Sequence, residues 1–252
     1  MSILRKSFSL GLCAVALACA SVGASAATVT LKYEEDANYR LRVSVDADLG
    51  SSSQFKSVST GNLFMNVNDV NGTDQFKPDT SILAWCLELL VPLSEENAVY
   101  NVDGSGTQSW LGSLQKLVNQ RYTEVLSTAD SIVSSAMQLA VWELVSGGTN
   151  LHEGDFQVNP QQNLSNVSYP ADALAAIDKA QTWLDELHTG AVAETGNFRI
   201  VVLTNDGAQD VVTFVPPSEV PLPGAALLFA SALGAAGLAR RRKGAGSEAA
   251  LA

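Results

Sequence analysis

The chain has 252 residues, with 15 basic and 26 acidic side chains and a net charge of -11. That length is ample for one buried core, and the acidic balance argues against nucleic acid or anionic lipid as a partner. Two of its three cysteines, Cys13 and Cys19, fall in an N-terminal leader, so the remainder holds Cys86 alone and no internal disulfide is expected.

The leader is read from Arg5 and Lys6, the apolar run GLCAVALACA and the small-residue pattern Ala24-Ser25-Ala26, which together predict a signal peptide over residues 1–26. Cys19 does not suggest a lipoprotein, because Ala16 stands where a larger apolar residue is wanted. From Thr28 to Val45 apolar and polar residues alternate, as in TVTLKY and YRLRVSVDAD, which predicts two strands half facing a core. SVSTGNLFMNVNDVNGTDQF continues the β pattern, with Asn71-Gly72 as a hairpin signal. Its Asn/Asp cluster is not an EF-hand loop, since aligning Gly72 with the fixed glycine puts Val67 at the first ligand position.

SILAWCLELLVPL reads as a buried strand with Cys86 and Glu88 on one face and Trp85 and Leu87 on the other. After the turn at 103–106 the period becomes helical, through Leu111, Leu114, Leu117, Val118, Tyr122 and Val125. A second helix follows, capped by Thr128 or Asp130 and ended by Gly147-Gly148. Its SSAMQLAVWELV stretch is apolar on nearly every side yet carries Gln138 in the middle. A carboxamide buried without partners costs about 1–3 kcal/mol, so Gln138 needs a partner elsewhere in the fold. Residues 149–169 are polar and read as loop. Ala171 to His188 is a helix with Leu174, Ile177, Ala180, Trp183, Leu184 and Leu187 inward, and FRIVVLTNDGAQDVVTFV is a hairpin about Asp206-Gly207. The order β, α, β predicts an α+β domain, a β-sandwich or barrel-like sheet interrupted by a helical subdomain.

Val220 to Ala239 is a run of 20 uncharged residues followed by Arg240, Arg241, Arg242 and Lys243. As a helix it spans about 30 Å, the thickness of a bilayer's hydrocarbon core, and the basic cluster stays cytoplasmic by the positive-inside rule. The expected organisation is a signal peptide over 1–26, an α+β domain over 27–215, a linker with a Pro-rich motif over 216–223, a transmembrane helix over 224–239 and a basic tail over 240–252. Between the two ends the chain is more acidic still, with 9 basic against 25 acidic residues.

The segment VPLPGAALLFASALGAAGLARRRK resembles the PEP-CTERM class of bacterial sorting signals in its VPLPA-type variant. The resemblance rests on Val220, Pro221, Leu222 and Pro223, the small-residue-rich apolar helix and the Arg240–Lys243 cluster. It implies recognition and cleavage by an exosortase-type membrane protease. It also implies a transient inner-membrane anchor, and a final place at the cell surface or in the extracellular matrix of a Gram-negative bacterium.

Cys86 and Gln138 are each odd alone and make sense together, because a thiolate is a strong nucleophile and can displace ammonia from a primary carboxamide to leave a thioester. The stretches Trp85-Cys86-Leu87-Glu88 and Gln138-Leu139-Ala140-Val141-Trp142-Glu143 resemble those of the Cys-Gln thioester domains of bacterial surface proteins. In that family an aromatic-Cys-aliphatic-acidic strand precedes a Gln-x-Ala-Ile-Trp-Glu helix. The resemblance implies a β-rich core with a helical subdomain and an internal thioester between Cys86 and Gln138. Trp85, Leu87, Leu139 and Trp142 are candidates for excluding water, and Glu88 and Glu143 for moving protons. The expected partner is a surface or matrix nucleophile, a protein amine or a polysaccharide hydroxyl, that attacks the thioester once, without turnover.

Two other readings stand beside this one. Cys86 can be inert packing with Gln138 bonded to nearby backbone, or it can be the nucleophile of a hydrolase with His152 or His188 as base. No Gly-rich phosphate loop, Cys-x-x-Cys pair or His-x-x-x-His spacing occurs in the sequence, and neither a cofactor nor a metal is expected.

Overall fold

The computed structural model describes residues 26–34, 40–46, 56–103, 106–158, 170–190 and 192–216. The leader up to Ser25, the sorting motif at Val220 to Pro223, the apolar segment 224–239 and the Arg240–Lys243 cluster lie outside the described residues. In chain order the strands are β1 Thr28–Glu34, β2 Leu41–Asp46, β3 Lys56–Thr60, β4 Leu63–Asn71, β5 Thr80–Cys86 and β6 Ala98–Asp103. Helices α1 Leu111–Thr128 and α2 Ser131–Val145 follow, then β7 Gln157–Val158, helix α3 Pro170–Thr189, β8 Arg199–Thr204 and β9 Val211–Val215. The fold is α+β, and the sheet is a closed barrel rather than a sandwich.

The barrel runs β1-β4-β5-β9-β8-β6, and every pair in it is antiparallel. Its strands therefore alternate in direction, with β1, β5 and β8 running toward one mouth and β4, β6 and β9 starting from it. Paired residues point to the same face of a sheet, so the register defines the interior. Cys86 pairs with Val211, Val211 with Leu203, and Leu203 with Val102. Tyr100 lies two residues from Val102 and pairs with Val29. These side chains share the inward face. A β-bulge between Thr30 and Leu31 lets β1 and β4 bend around the closure.

On the outer face of the β5–β9 wall Trp85 is fully buried, stacked on Phe214 at 4.9 Å and edge-on to Tyr122 of α1 at 5.6 Å. Tyr122 also meets Phe198 and Phe214 at 4.8 and 5.0 Å. The helical period in α1 thus faces the barrel wall through Leu114, Leu117, Val118, Tyr122 and Val125, as its spacing requires. Asp130 caps α2, its carboxylate accepting the Ile132 N–H at 2.7 Å. Helix α2 is buried through almost its whole length, because α1, α3, β5 and a second, three-stranded sheet β3-β2-β7 surround it. Among the described residues no helix is long and apolar enough to cross a membrane.

Two local expectations change. Asn71-Gly72 does not close a two-residue hairpin. Gly72 is left-handed, but β4 and β5 are joined by residues 72–79, which carry the buried Phe76 into the core. The polar stretch after α2 is not wholly loop, since Gln157 and Val158 pair with Asp46 and Val45.

Trp85→Ala should lower unfolding free energy by about 3–5 kcal/mol in urea titration, the range for emptying a large aromatic site. Leu90→Ala, at a position 50% exposed, should stay within about 0.5 kcal/mol of wild type.

Candidate functional site

Cys86 is the last residue of β5, at the mouth where that strand loses a neighbour. Leu87 N–H donates to the Asp210 carbonyl at 3.0 Å. Hydrogen bonding in antiparallel pairs uses alternate residues, so the Cys86 N–H and C=O turn away from β9, toward β4. Continuing the Leu63–Ala84 register brings Gly61 opposite Cys86. At Gly61, however, the chain crosses between sheets with φ of 125°, a conformation that favours glycine. The β4 side is therefore vacated just where Cys86 needs partners.

Gln138 fills the vacancy. Its Oε1 accepts the Cys86 N–H at 3.0 Å and its Nε2 donates to the Cys86 carbonyl at 2.9 Å, so the side-chain amide stands in for a strand peptide. Gln138 is 1% exposed, and both ends of its carboxamide are satisfied by one residue. Its neighbours on the helix face brace the same gap. Ser134 Oγ accepts the Asn62 N–H at 2.7 Å and donates to Asn62 Oδ1, and Ser135 Oγ donates to the Thr60 carbonyl at 3.2 Å. Ser134, Ser135 and Gln138 stand three and four residues apart, the spacing of one helix face. Sequence reading assigned Ser135 no role. The signal was available in this short polar stripe on an otherwise apolar helix, a pattern that needs exposed backbone to face.

The Cys86 thiol sits inside this mouth, where burial pushes it up to about 12 against a smaller opposing pull from the Arg40 guanidinium. Arg40 lies over the Tyr33 ring at 4.8 Å. Tyr100 is wholly buried, and its hydroxyl has no hydrogen-bond partner among the described residues. Burial pushes its phenol up to about 12, and the Cys86 sulfur and the Asp210 carboxylate add in the same direction. Asp210 is itself raised by burial; the Asn205 N–H donated to it at 2.7 Å pulls the other way, and Glu88 and Asp206 raise it further. Tyr100, Arg40 and Asp210 have no local motif, so sequence reading passed over them.

The other candidates are distributed around the pair. Strand alternation puts Trp85 on the face opposite the thiol, under α1, and Leu87 is half-buried just past the strand end. Leu139 is fully buried beside Gln138, and Trp142 is buried near Phe156 at 5.9 Å. Glu88 clamps two loops, its carboxylate accepting the Asp210 N–H at 2.9 Å and its carbonyl accepting the Gln209 side-chain amide. Glu143 faces the turn after α2, where it accepts the Asn150 N–H at 2.8 Å. A side chain at Gly148 would collide with its carboxylate. His152 and His188 line one cavity of about 520 Å³ with Thr149, Asn150, Gln181 and Asp185, and neither Cys86 nor Gln138 lines it. Among the described residues no group of three His, Cys, Asp or Glu is arranged to hold a metal ion.

No protein-family model matches the chain, and no curated protein sequence matches it. Solved structures similar to it include the following two. One is the N-terminal thioester domain of a surface protein from Clostridium perfringens, with 14% identity, 70% of this chain and 99% of that chain covered, and a TM-score of 0.37. The other is the N-terminal domain of the Streptococcus pyogenes pilus tip adhesin Cpa, with 12% identity, 74% and 98% covered, and a TM-score of 0.39. At this identity and score no residue role passes from either protein to this chain.

Burial raises the Glu143 carboxyl above its ordinary 4.5. The native state therefore binds more protons than the unfolded chain above that pH, and stability falls as pH rises through the raised value. Glu143→Gln keeps the acceptor for Asn150 and removes the titration. Its melting temperature should equal or exceed wild type at pH 7, and its decline between pH 4.5 and 7 should be shallower.

Proposed function

We propose that this chain is an exported surface or matrix protein whose α+β domain closes an internal thioester between Cys86 and Gln138 and spends it once on a nucleophilic partner. The observation that carries this reading is the two-point bond between the Gln138 carboxamide and the backbone of Cys86. A carboxamide lying in the plane of a sheet edge offers its face to the side chains that stand off that sheet, and a nucleophile attacks a carbonyl through that face.

The same bonds have chemical consequences. The Cys86 N–H meets Oε1, where negative charge develops when sulfur adds to the carbonyl carbon, and a fixed backbone donor at that position stabilises such charge. In the closing step the S–H and C–N bonds break, the S–C bond forms, and Gln138 loses its nitrogen as ammonia. A primary amine or hydroxyl then adds to the same carbon, takes the acyl group of Gln138 and releases Cys86 as a thiol. The apolar neighbours, Leu139 among them, keep water from the bond until that partner arrives. The partner class is a protein amine or a polysaccharide hydroxyl, and the reaction is an attachment rather than a turnover.

The competing reading is a non-covalent surface module in which Gln138 merely braces a strand end. It draws on the same two hydrogen bonds and on the high thiol, which is protonated at neutral pH. For export, the reading relies on the leader and on the resemblance of Val220–Lys243 to exosortase-type sorting signals.

Intact mass spectrometry of the purified domain should give a chain lighter by one ammonia, with Cys86→Ala and Gln138→Ala at full mass. A wild-type chain at full mass overturns the thioester and leaves the bracing role. Deletion of Arg240 to Lys243 should leave the protein unprocessed in its native host, as read by the size of the mature form on a blot; normal maturation would remove the sorting assignment.

A further inference from the structure

A cavity of about 210 Å³ lies beside the brace that holds Gln138. Its floor is the outer face of β4 and β5, where Phe64 pairs with Leu83. Val125 and Leu126, near the end of α1, form one wall, and the two-residue turn of Ala129 and Asp130 leads from there into α2. Its most deeply buried lining residues are Asn62 and Ser134, 5% and 3% exposed. Ser134 stands one helical turn from Gln138 on the same face of α2, a rise of about 6 Å. Asn62 follows the Gly61 that vacates the place beside Cys86. The cavity therefore borders the gap that Gln138 fills.

The lining selects what can enter. Most of it is apolar, and its polar groups are largely spent: Ser134 Oγ accepts the Asn62 N–H and donates to Asn62 Oδ1, and the Asp130 carboxylate accepts the Ile132 N–H. A sugar ring would give up water at its hydroxyls for few bonds in return. An aliphatic side chain gives up none and buries apolar surface. The volume falls below the roughly 300–1,000 Å³ of pockets that take a whole small molecule, and suits one side chain. Leu126 leaves 51% of its surface in water beside this cavity, so apolar surface extends outward from it. Ala129 is held left-handed at φ 42°, where glycine would be relaxed. The tight turn it makes sets the end of α1 against the start of α2 and gives the cavity its walls.

We propose that the partner of the thioester docks here, and that it is a polypeptide which seats one aliphatic side chain in the cavity while presenting its amine to Gln138; this rests on the thioester reading. Of the two partner classes named above, the cavity thus favours protein over polysaccharide. The 9 basic against 25 acidic residues between the chain's two ends, with Asp130 lining the cavity, suit a basic segment flanking that side chain. Docking turns the meeting of amine and thioester into a reaction within one complex. The amine nitrogen adds to the Gln138 carbonyl carbon and the S–C bond breaks; the amine gives a proton to solvent, and the sulfur takes one from solvent.

The test compares how fast two acetylated tripeptide amides, leucine-glycine-lysine and glycine-glycine-lysine, open the thioester of the purified protein, read by intact mass. Both carry the same lysine amine, so the ratio of their rates reports the leucine side chain alone. In wild type the leucine peptide should be faster by about ten-fold, the scale of burying one aliphatic side chain. Leu126→Gln should bring the ratio to roughly one, and Leu126→Met, which keeps an apolar side chain of similar volume, should restore it. A general loss of stability slows both peptides and leaves their ratio alone. Equal rates in wild type overturn the docking site while leaving the thioester intact, and are the result that a polysaccharide partner predicts. A ratio that Leu126→Gln does not change puts the leucine elsewhere and overturns the cavity as well. A wild-type chain at full mass removes the thioester reading and this docking site with it.

Discussion

One side chain repairs a break in a sheet, and the rest of the molecule is arranged around that repair. Where β4 begins late, the strand beside it would present a bare N–H and C=O inside the protein, and buried backbone groups are almost always paired. The Gln138 carboxamide is the side chain best suited to the gap, because it carries the same donor and acceptor as a peptide in the same plane. Holding it there takes a buried helix, and holding the helix takes Ser134 and Ser135 on the crossover at Asn62 and Thr60. The gap exists because Gly61 lets the chain leave one sheet for another. Fold and site thus have one origin, the division of the β-structure into a barrel and a smaller sheet with α2 between them.

The helices were legible in the sequence because their apolar positions recur at fixed spacing and their ends are marked, by Asp130 before α2 and Gly147 after it. The tension at Gln138 was legible as well, since a polar group on an all-apolar helix announces a partner without naming its atoms. That the partner is a backbone, at the residue suspected on chemical grounds, required the register. Strand β6 went unread because Val99 points to solvent at 57% exposure, which blurs the alternation about Tyr100. Strand β7 has two residues, too few for any period. Asn71-Gly72 misled because a turn signal is local, whereas the length of the connection is set by Phe76, which must reach the core. Tyr100 shares the inward face with Cys86 only because the barrel closes, and closure leaves no mark on any short stretch of sequence.

Burial acts in two directions at this mouth. It keeps the thiol neutral, which protects a lone cysteine from adventitious oxidation and exchange, since the thiolate is the reactive form. It also withholds water from the Gln138 carboxamide, which is 1% exposed. A buried, protonated sulfur answers to the groups set around it. In this structure those are a neighbouring carboxamide, a phenol and a guanidinium.

The alternation of strand direction also sets an orientation. Strand β1 enters and β9 leaves at the pole of the barrel farthest from Cys86, so the thiol sits at the end away from both points where the chain joins the barrel.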